Sequence, residues 1–163
     1  MPLIVDGYNL MHVIRKSDED FTNLTEVGLC KIISEYLKRV RDRGHVVFDG
    51  TGPYDKTDLE WLGGIENLEV YFSGAKTEAD EIIEQKIQDS SAPKSLVVVS
   101  TDRRIRAAAS KRKATAVKSE IFLQQLIQQM EHQNKPSVEP REKRQGLTEG
   151  ETDLWLDYFG LDQ

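Results

Sequence analysis

The feature that most constrains this chain is a set of short, largely apolar runs separated by stretches of helical periodicity. Leu3-Ile4-Val5, His45-Val46-Val47-Phe48-Asp49, Leu68-Glu69-Val70-Tyr71-Phe72 and Ser95-Leu96-Val97-Val98-Val99-Ser100 are too short for core helices and rich in β-branched or aromatic residues. A strand that is apolar on both faces has to be covered on both. Strands that alternate with helices are joined by crossovers that leave them parallel. The expectation is a three-layer α/β/α fold with a central parallel sheet, completed by a short strand over residues 114–117.

The intervening segments read as helices. Residues 26–43 place Val27, Cys30, Ile33, Leu37 and Val40 at three- and four-residue spacing, with Gly44 as the stop. Thr77-Glu78-Ala79-Asp80-Glu81 opens another helix carrying Ile82, Ile83 and Ile87. There Thr77 is the expected cap, and Pro93 lies past the end. Further helices follow Asp102 and span residues 119–131. Residues 132–146 turn polar, with Pro136 and Pro140, and read as a linker. Residues 147–163 carry Leu154, Trp155, Leu156, Tyr158 and Phe159 and read as a short docking helix, placed on its own domain or on a partner. The expected organisation is one domain over 1–131, the linker, and that helix.

Composition narrows the function. A chain of 163 residues with 38% hydrophobic content suits one soluble domain. Its single cysteine, Cys30, sits in an apolar helical stripe and excludes an internal disulfide or a zinc site of several thiolates. The apolar start is too brief for a signal peptide and no run is long enough to span a membrane, so a cytoplasmic location is expected. A net charge of -6 argues against indiscriminate coating of nucleic acid. No Gly-rich phosphate loop is present. Val46-Val47-Phe48-Asp49-Gly50-Thr51 fails as a haloacid-dehalogenase-type phosphatase motif, because Val47 stands where that chemistry needs a nucleophilic aspartate.

What remains is an acidic constellation. Ligand groups in parallel α/β sheets gather at the carboxyl ends of strands. Asp6, Asp49 and Asp102 follow strands, and Asp80 and Glu81 open a helix on the same expected edge. Each residue alone also reads as a turn former or helix cap, Asp49-Gly50 especially. Together, converging carboxylates repel one another unless a proton or cation compensates, and oxygen donors suit Mg²⁺ or Mn²⁺. Such ions activate water and steady the charge of an in-line displacement at phosphorus, which makes a histidine base unnecessary. His12, His45 and His132 share no motif and read as structural. Arg103, Arg104, Arg106, Lys111, Arg112 and Lys113 form the densest basic cluster and fit a phosphate track beside Asp102. Lys31, Lys38, Arg39, Arg41 and Arg43 read instead as the solvated face of a helix. Tyr8 and Tyr54 are candidates to stack on unpaired bases.

At these residues a family resemblance emerges. Leu3-Ile4-Val5-Asp6-Gly7-Tyr8-Asn9-Leu10 resembles the opening of NYN-domain proteins, in the YacP-like branch of the PIN-like nucleases. Val47-Phe48-Asp49-Gly50, Thr77-Glu78-Ala79-Asp80-Glu81-Ile82-Ile83 and Val97-Val98-Val99-Ser100-Thr101-Asp102 resemble the later motifs of that family, in order, over residues 1–131. The resemblance implies a metal-dependent endoribonuclease using Mg²⁺ or Mn²⁺. Asp6, Asp80 and Asp102 would be its central ligands and Glu81 a peripheral one. Asn9 would orient a ligand or bind substrate, Asp49 would lie at the margin, and Ser100 or Thr101 would hold a water or a neighbouring carboxylate. The resemblance also suggests RNA as substrate and message turnover linked to ribosomes. One departure stands out: where some relatives carry a further acid one turn after the last aspartate, this chain has Arg103, Arg104 and Arg106, which favours one firmly held ion over two. A binding module of the same fold that does not cut, and a DNA nuclease with the same core, remain as alternatives.

Overall fold

The computed structural model describes residues 2–134. Five strands, β1 (Leu3–Asp6), β2 (Gly44–Phe48), β3 (Leu68–Phe72), β4 (Val97–Val99) and β5 (Thr115–Val117), form one sheet in the order β3-β2-β1-β4-β5. Every pairing is parallel, and Val5 of β1 lies opposite Val46 on one side and Val99 on the other. Six helices connect and cover the strands: α1 (Gly7–Ser17), α2 (Glu26–Val40), α3 (Lys56–Gly63), α4 (Ala79–Asp89), α5 (Arg103–Lys111) and α6 (Ser119–Asn134).

Alternation along the strands sorts the core into two halves. Leu3, Val5, Val46, Phe48 and Val99 pack with Leu10 and Ile14 of α1, Ile33 and Leu37 of α2, Leu62 of α3 and Phe122 and Leu126 of α6. Ile4, Val47 and Val98 face the other way, onto Ile83 and Ile87 of α4 and Ile105 and Ala109 of α5. The central strands β1, β2 and β4 are therefore largely apolar on both faces because both are covered. Burying each valine contributes about 1.5–3 kcal/mol relative to exposure. Cys30 lies fully inside the first half, its thiol pushed up to about 12 by burial.

Several boundaries differ from the sequence expectation, each for a physical reason. Asp6-Gly7 is not a turn, because β1 passes directly into α1. A Cβ at Gly7 would lie 2.5 Å from the Phe48 ring, so the helix can start this close to β2 only without a side chain there. Gly44 does not cap α2. Arg41 takes the left-handed conformation, its N–H reaching Leu37 O and Lys38 O, and Gly44 opens β2. The run beginning at Ser95 is shorter as a strand, since Pro93–Ser95 forms a 3-10 turn. Helix α6 continues past Glu131 to Asn134, which moves the expected start of the linker. The remainder of that linker and the expected docking helix over 147–163 lie outside the described residues. Among the described residues no helix is long and apolar enough to cross a membrane.

Candidate active site

The strand order makes a crevice where carboxylates can meet. Helix α1 leaves β1 toward one face of the sheet and α5 leaves β4 toward the other, so the carboxyl ends of these adjacent strands part. Asp6 stands at that point, only 9% exposed. The Ser100 hydroxyl donates to Asp6 Oδ2 at 2.9 Å and accepts from the Asp102 backbone N–H at 3.0 Å. One serine thus fixes both the carboxylate after β1 and the backbone after β4. Burial raises the Asp6 carboxyl to about 6. The Ser100 hydrogen bond opposes that rise, the charges of Asp80 and Asp102 add to it, and the Asn9 backbone N–H lowers it slightly.

Asp80 comes from the first turn of α4, half-buried and also raised, first by burial and then by Asp102, against a lowering by Arg104. Asp102 caps α5, its Oδ1 accepting from Arg104 N–H at 2.8 Å, so the cap reading and the site reading coexist at this residue. Thr77 is not the cap of α4. Helix α4 begins at Ala79 with no capping bond from Glu78, and the Ala79 N–H is instead accepted by Asp49 Oδ1 at 3.1 Å. Asp49 is thus tied into the fold beside the carboxylates. Glu81 is exposed, roughly 100° round the helix from Asp80.

A polar network joins three of the loops at this edge. Asn9 Oδ1 accepts from the Thr101 backbone N–H at 2.9 Å and from the Ser119 hydroxyl at 2.5 Å. Thr101 Oγ1 donates to Glu120 at 2.6 Å, and that bond holds the Glu120 carboxyl below its usual range. Ser119 and Glu120 escaped the sequence reading as site residues. They follow β5 as Asp102 follows β4, and the same rule about strand ends would have found them.

The basic cluster divides. Arg103 and Arg106 lie in the first turn of α5, Arg103 exposed and Arg106 near Glu120. Arg104 is engaged by Glu84 of α4. Lys111, Arg112 and Lys113 sit at the far end of α5, roughly 13 Å away at the rise of an α-helix, on the amino edge of the sheet. There Arg112 donates to Gln88 O and Ser90 O, closing the end of α4. Adjacency in sequence suggested one track; the length of the helix separates its ends. Of the tyrosines, Tyr8 is 37% exposed and packs edge-on against Phe48 at 5.0 Å, next to Asp6. Tyr54 is fully exposed in the loop after β2. His12 is exposed on α1, and His45 faces Glu69 at 3.6 Å, away from the carboxylates.

The donor set suits a hard divalent cation in kind, since Asp6, Asp80 and Asp102 offer only carboxylate oxygens, with Asp80 and Asp102 both raising Asp6 and Asp102 raising Asp80. The Asp80 side chain makes no hydrogen bond among the described residues, which leaves its carboxylate available. As placed, no three His, Cys, Asp or Glu side chains among the described residues converge closely enough to hold an ion.

A model of the family described as the YacP-like NYN domain matches residues 3–154. Among solved structures, the chain is similar to Rae1 (YacP) from Bacillus subtilis at 23% identity and a TM-score of 0.63, covering 81% of this chain and 76% of that one. A single-substitution mutant of the same Bacillus subtilis protein matches at 21% identity and a TM-score of 0.57, covering 80% and 77%. At these identities the likeness establishes the fold alone. No curated protein matches the chain.

Proposed function

The chain belongs to the YacP-like NYN domain family, and from that premise we propose that it is a metal-dependent endoribonuclease centred on Asp6, Asp80 and Asp102. The observation that carries this reading is the buried Asp6 at the parting of β1 and β4, its carboxyl raised to about 6 with help from both other aspartates. Such an arrangement is costly at neutral pH unless a cation shares it. Bound Mg²⁺ or Mn²⁺ would offset that repulsion, lower the pKa of water and stabilise the charge developing on a phosphodiester.

The other roles follow from the hydrogen bonds. Ser100 holds Asp6 in one orientation. Asn9 uses its carbonyl oxygen twice within the fold, so its two N–H donors remain for a phosphate or ribose oxygen. Thr101 is occupied with Glu120 and orients that carboxylate. Tyr8 offers a ring face for an unpaired base, and Arg103 and Arg106 draw in the backbone. Lys111, Arg112 and Lys113 take no part in this reading. RNA as substrate and a link to ribosomes extend this reading from the family resemblance, the members of the family being generally nucleases. The separation of the three carboxylates favours a second reading, a module that binds RNA without cutting it.

Labelled single-stranded and structured RNA, with matching DNA, incubated with Mn²⁺, Mg²⁺ or EDTA decides between them. The expected outcome is metal-dependent internal cleavage of RNA, reduced at least a hundredfold in Asp6→Asn/Asp102→Asn. Equal RNA binding by parent and variant with no cleavage would overturn the catalytic reading, and preferential cutting of DNA would overturn the choice of substrate.

A further inference from the structure

Asp49 lies beside the carboxylates without belonging to them, and its contacts point elsewhere. Its Oδ1 accepts from the Ala79 N–H at 3.1 Å and from the Ser73 hydroxyl at 3.2 Å. Ser73 in turn accepts from the Gly50 N–H at 2.9 Å, and its own N–H reaches Phe48 O at 2.9 Å. Gly74 N–H bonds Gly50 O at 2.8 Å, so the loops leaving β2 and β3 are stitched together by an antiparallel bridge. Both glycines have φ near +90°, a region that L side chains rarely adopt, and this lets the two loops meet.

Helix α4 makes no capping bond of its own at Glu78. The first turn of a helix leaves backbone N–H groups in need of an acceptor, and here the acceptor arrives from the residue just after β2, 30 residues earlier. Ala79 is buried in the core, and Asp80 is the next residue. We propose that Asp49 is a positioning residue: by capping α4 across the sheet edge, it sets where Asp80 stands relative to Asp6. The clamp acts through an acceptor oxygen, so the charge of Asp49 is not what matters; asparagine serves as well as aspartate at a cap. This inference rests on the metal-centre reading for its consequence, though the clamp can be read separately.

The test compares Asp49→Asn, Asp49→Ala and the milder Ser73→Ala in the full chain. Mn²⁺ affinity is read from the EPR signal of the free ion, and amide exchange at Ala79 by NMR. Asp49→Ala is expected to weaken Mn²⁺ binding about tenfold and to speed Ala79 exchange by a similar factor. Ser73→Ala should shift both in the same direction by less, and Asp49→Asn should keep both near the parent. Loss of Mn²⁺ affinity in Asp49→Asn equal to that in Asp49→Ala would make Asp49 a ligand by charge and overturn the proposal. Unchanged Ala79 exchange in Asp49→Ala would overturn it too. If the parent itself binds no Mn²⁺, the metal-centre reading fails, and Ala79 exchange alone then decides whether the clamp exists.

Discussion

Asp6 concentrates the electrostatic cost of this molecule. Its carboxyl is raised from 3.8 to about 6 by burial and by the neighbouring aspartates. The metal-free folded chain therefore holds this proton more tightly than the unfolded chain does. Whatever stability that difference confers is fully present below pH 3.8. It declines as pH rises, and is gone once pH passes about 6. A shift of this size corresponds to roughly 3 kcal/mol as an upper figure. Asp6→Asn, which has no proton to lose, should gain on the metal-free parent as pH climbs from 4 to 7, by up to about 3 kcal/mol in urea unfolding. A difference between the two that stays constant over that range would mean Asp6 ionises like an exposed aspartate. Asp49 and Asp102 teach a second lesson at this scale. Both are caps, yet Asp102 caps its own helix while Asp49 caps one that begins 30 residues later. The first kind of cap is legible from local sequence; the second is a tertiary contact, which is why Thr77 looked like the better candidate.

Among the elements, the strands were the most legible. Leu68 to Phe72 stands as expected, and the other four differ only by a residue or two at their ends. Largely apolar runs admit few alternatives once both faces of a sheet are covered. The helix after Asp6 was harder to see, because Gly7 and Asn9 favour turns and Asp6 makes no side-chain cap bond. Leu10, Met11 and Ile14, all buried, were the available signal. Helix α3 is short, eight residues, and its cap Asp55 lies among glycines and a proline that read as loop. The strand-to-helix junction carries its own prediction. Gly7→Ala would drive a methyl into the Phe48 ring and should destabilise the fold by about 1–3 kcal/mol, measured by urea unfolding. The larger loss is expected in the proposed cleavage activity, since Asp6 and Asn9 lie on either side of the crowded position. A variant as stable and active as the parent would show that Phe48 moves aside freely.

At the scale of the whole molecule, charge is distributed by the direction of α5. The carboxyl edge holds Arg103 and Arg106 with the aspartates, and the amino edge holds Lys111, Arg112 and Lys113. Lys111→Ala/Lys113→Ala should therefore leave RNA affinity and its salt dependence nearly unchanged. Arg103→Ala/Arg106→Ala should flatten the slope of affinity against salt by one to two phosphate contacts' worth. Equal effects of the two pairs in a filter-binding titration would mean that RNA wraps past the end of the helix. The topology has one further consequence, concerning time. The strand at the middle of the sheet is the first to be synthesised, while Ser100, which orients Asp6, follows 94 residues later. Until then β1 has β2 as its only available neighbour, and Asp6 meets neither Ser100 nor Asp102. The acidic centre cannot be completed on an emerging chain before β4 has been made, so a copy that has reached only α4 carries Asp6 and Asp80 without the serine that orients the first or the third aspartate.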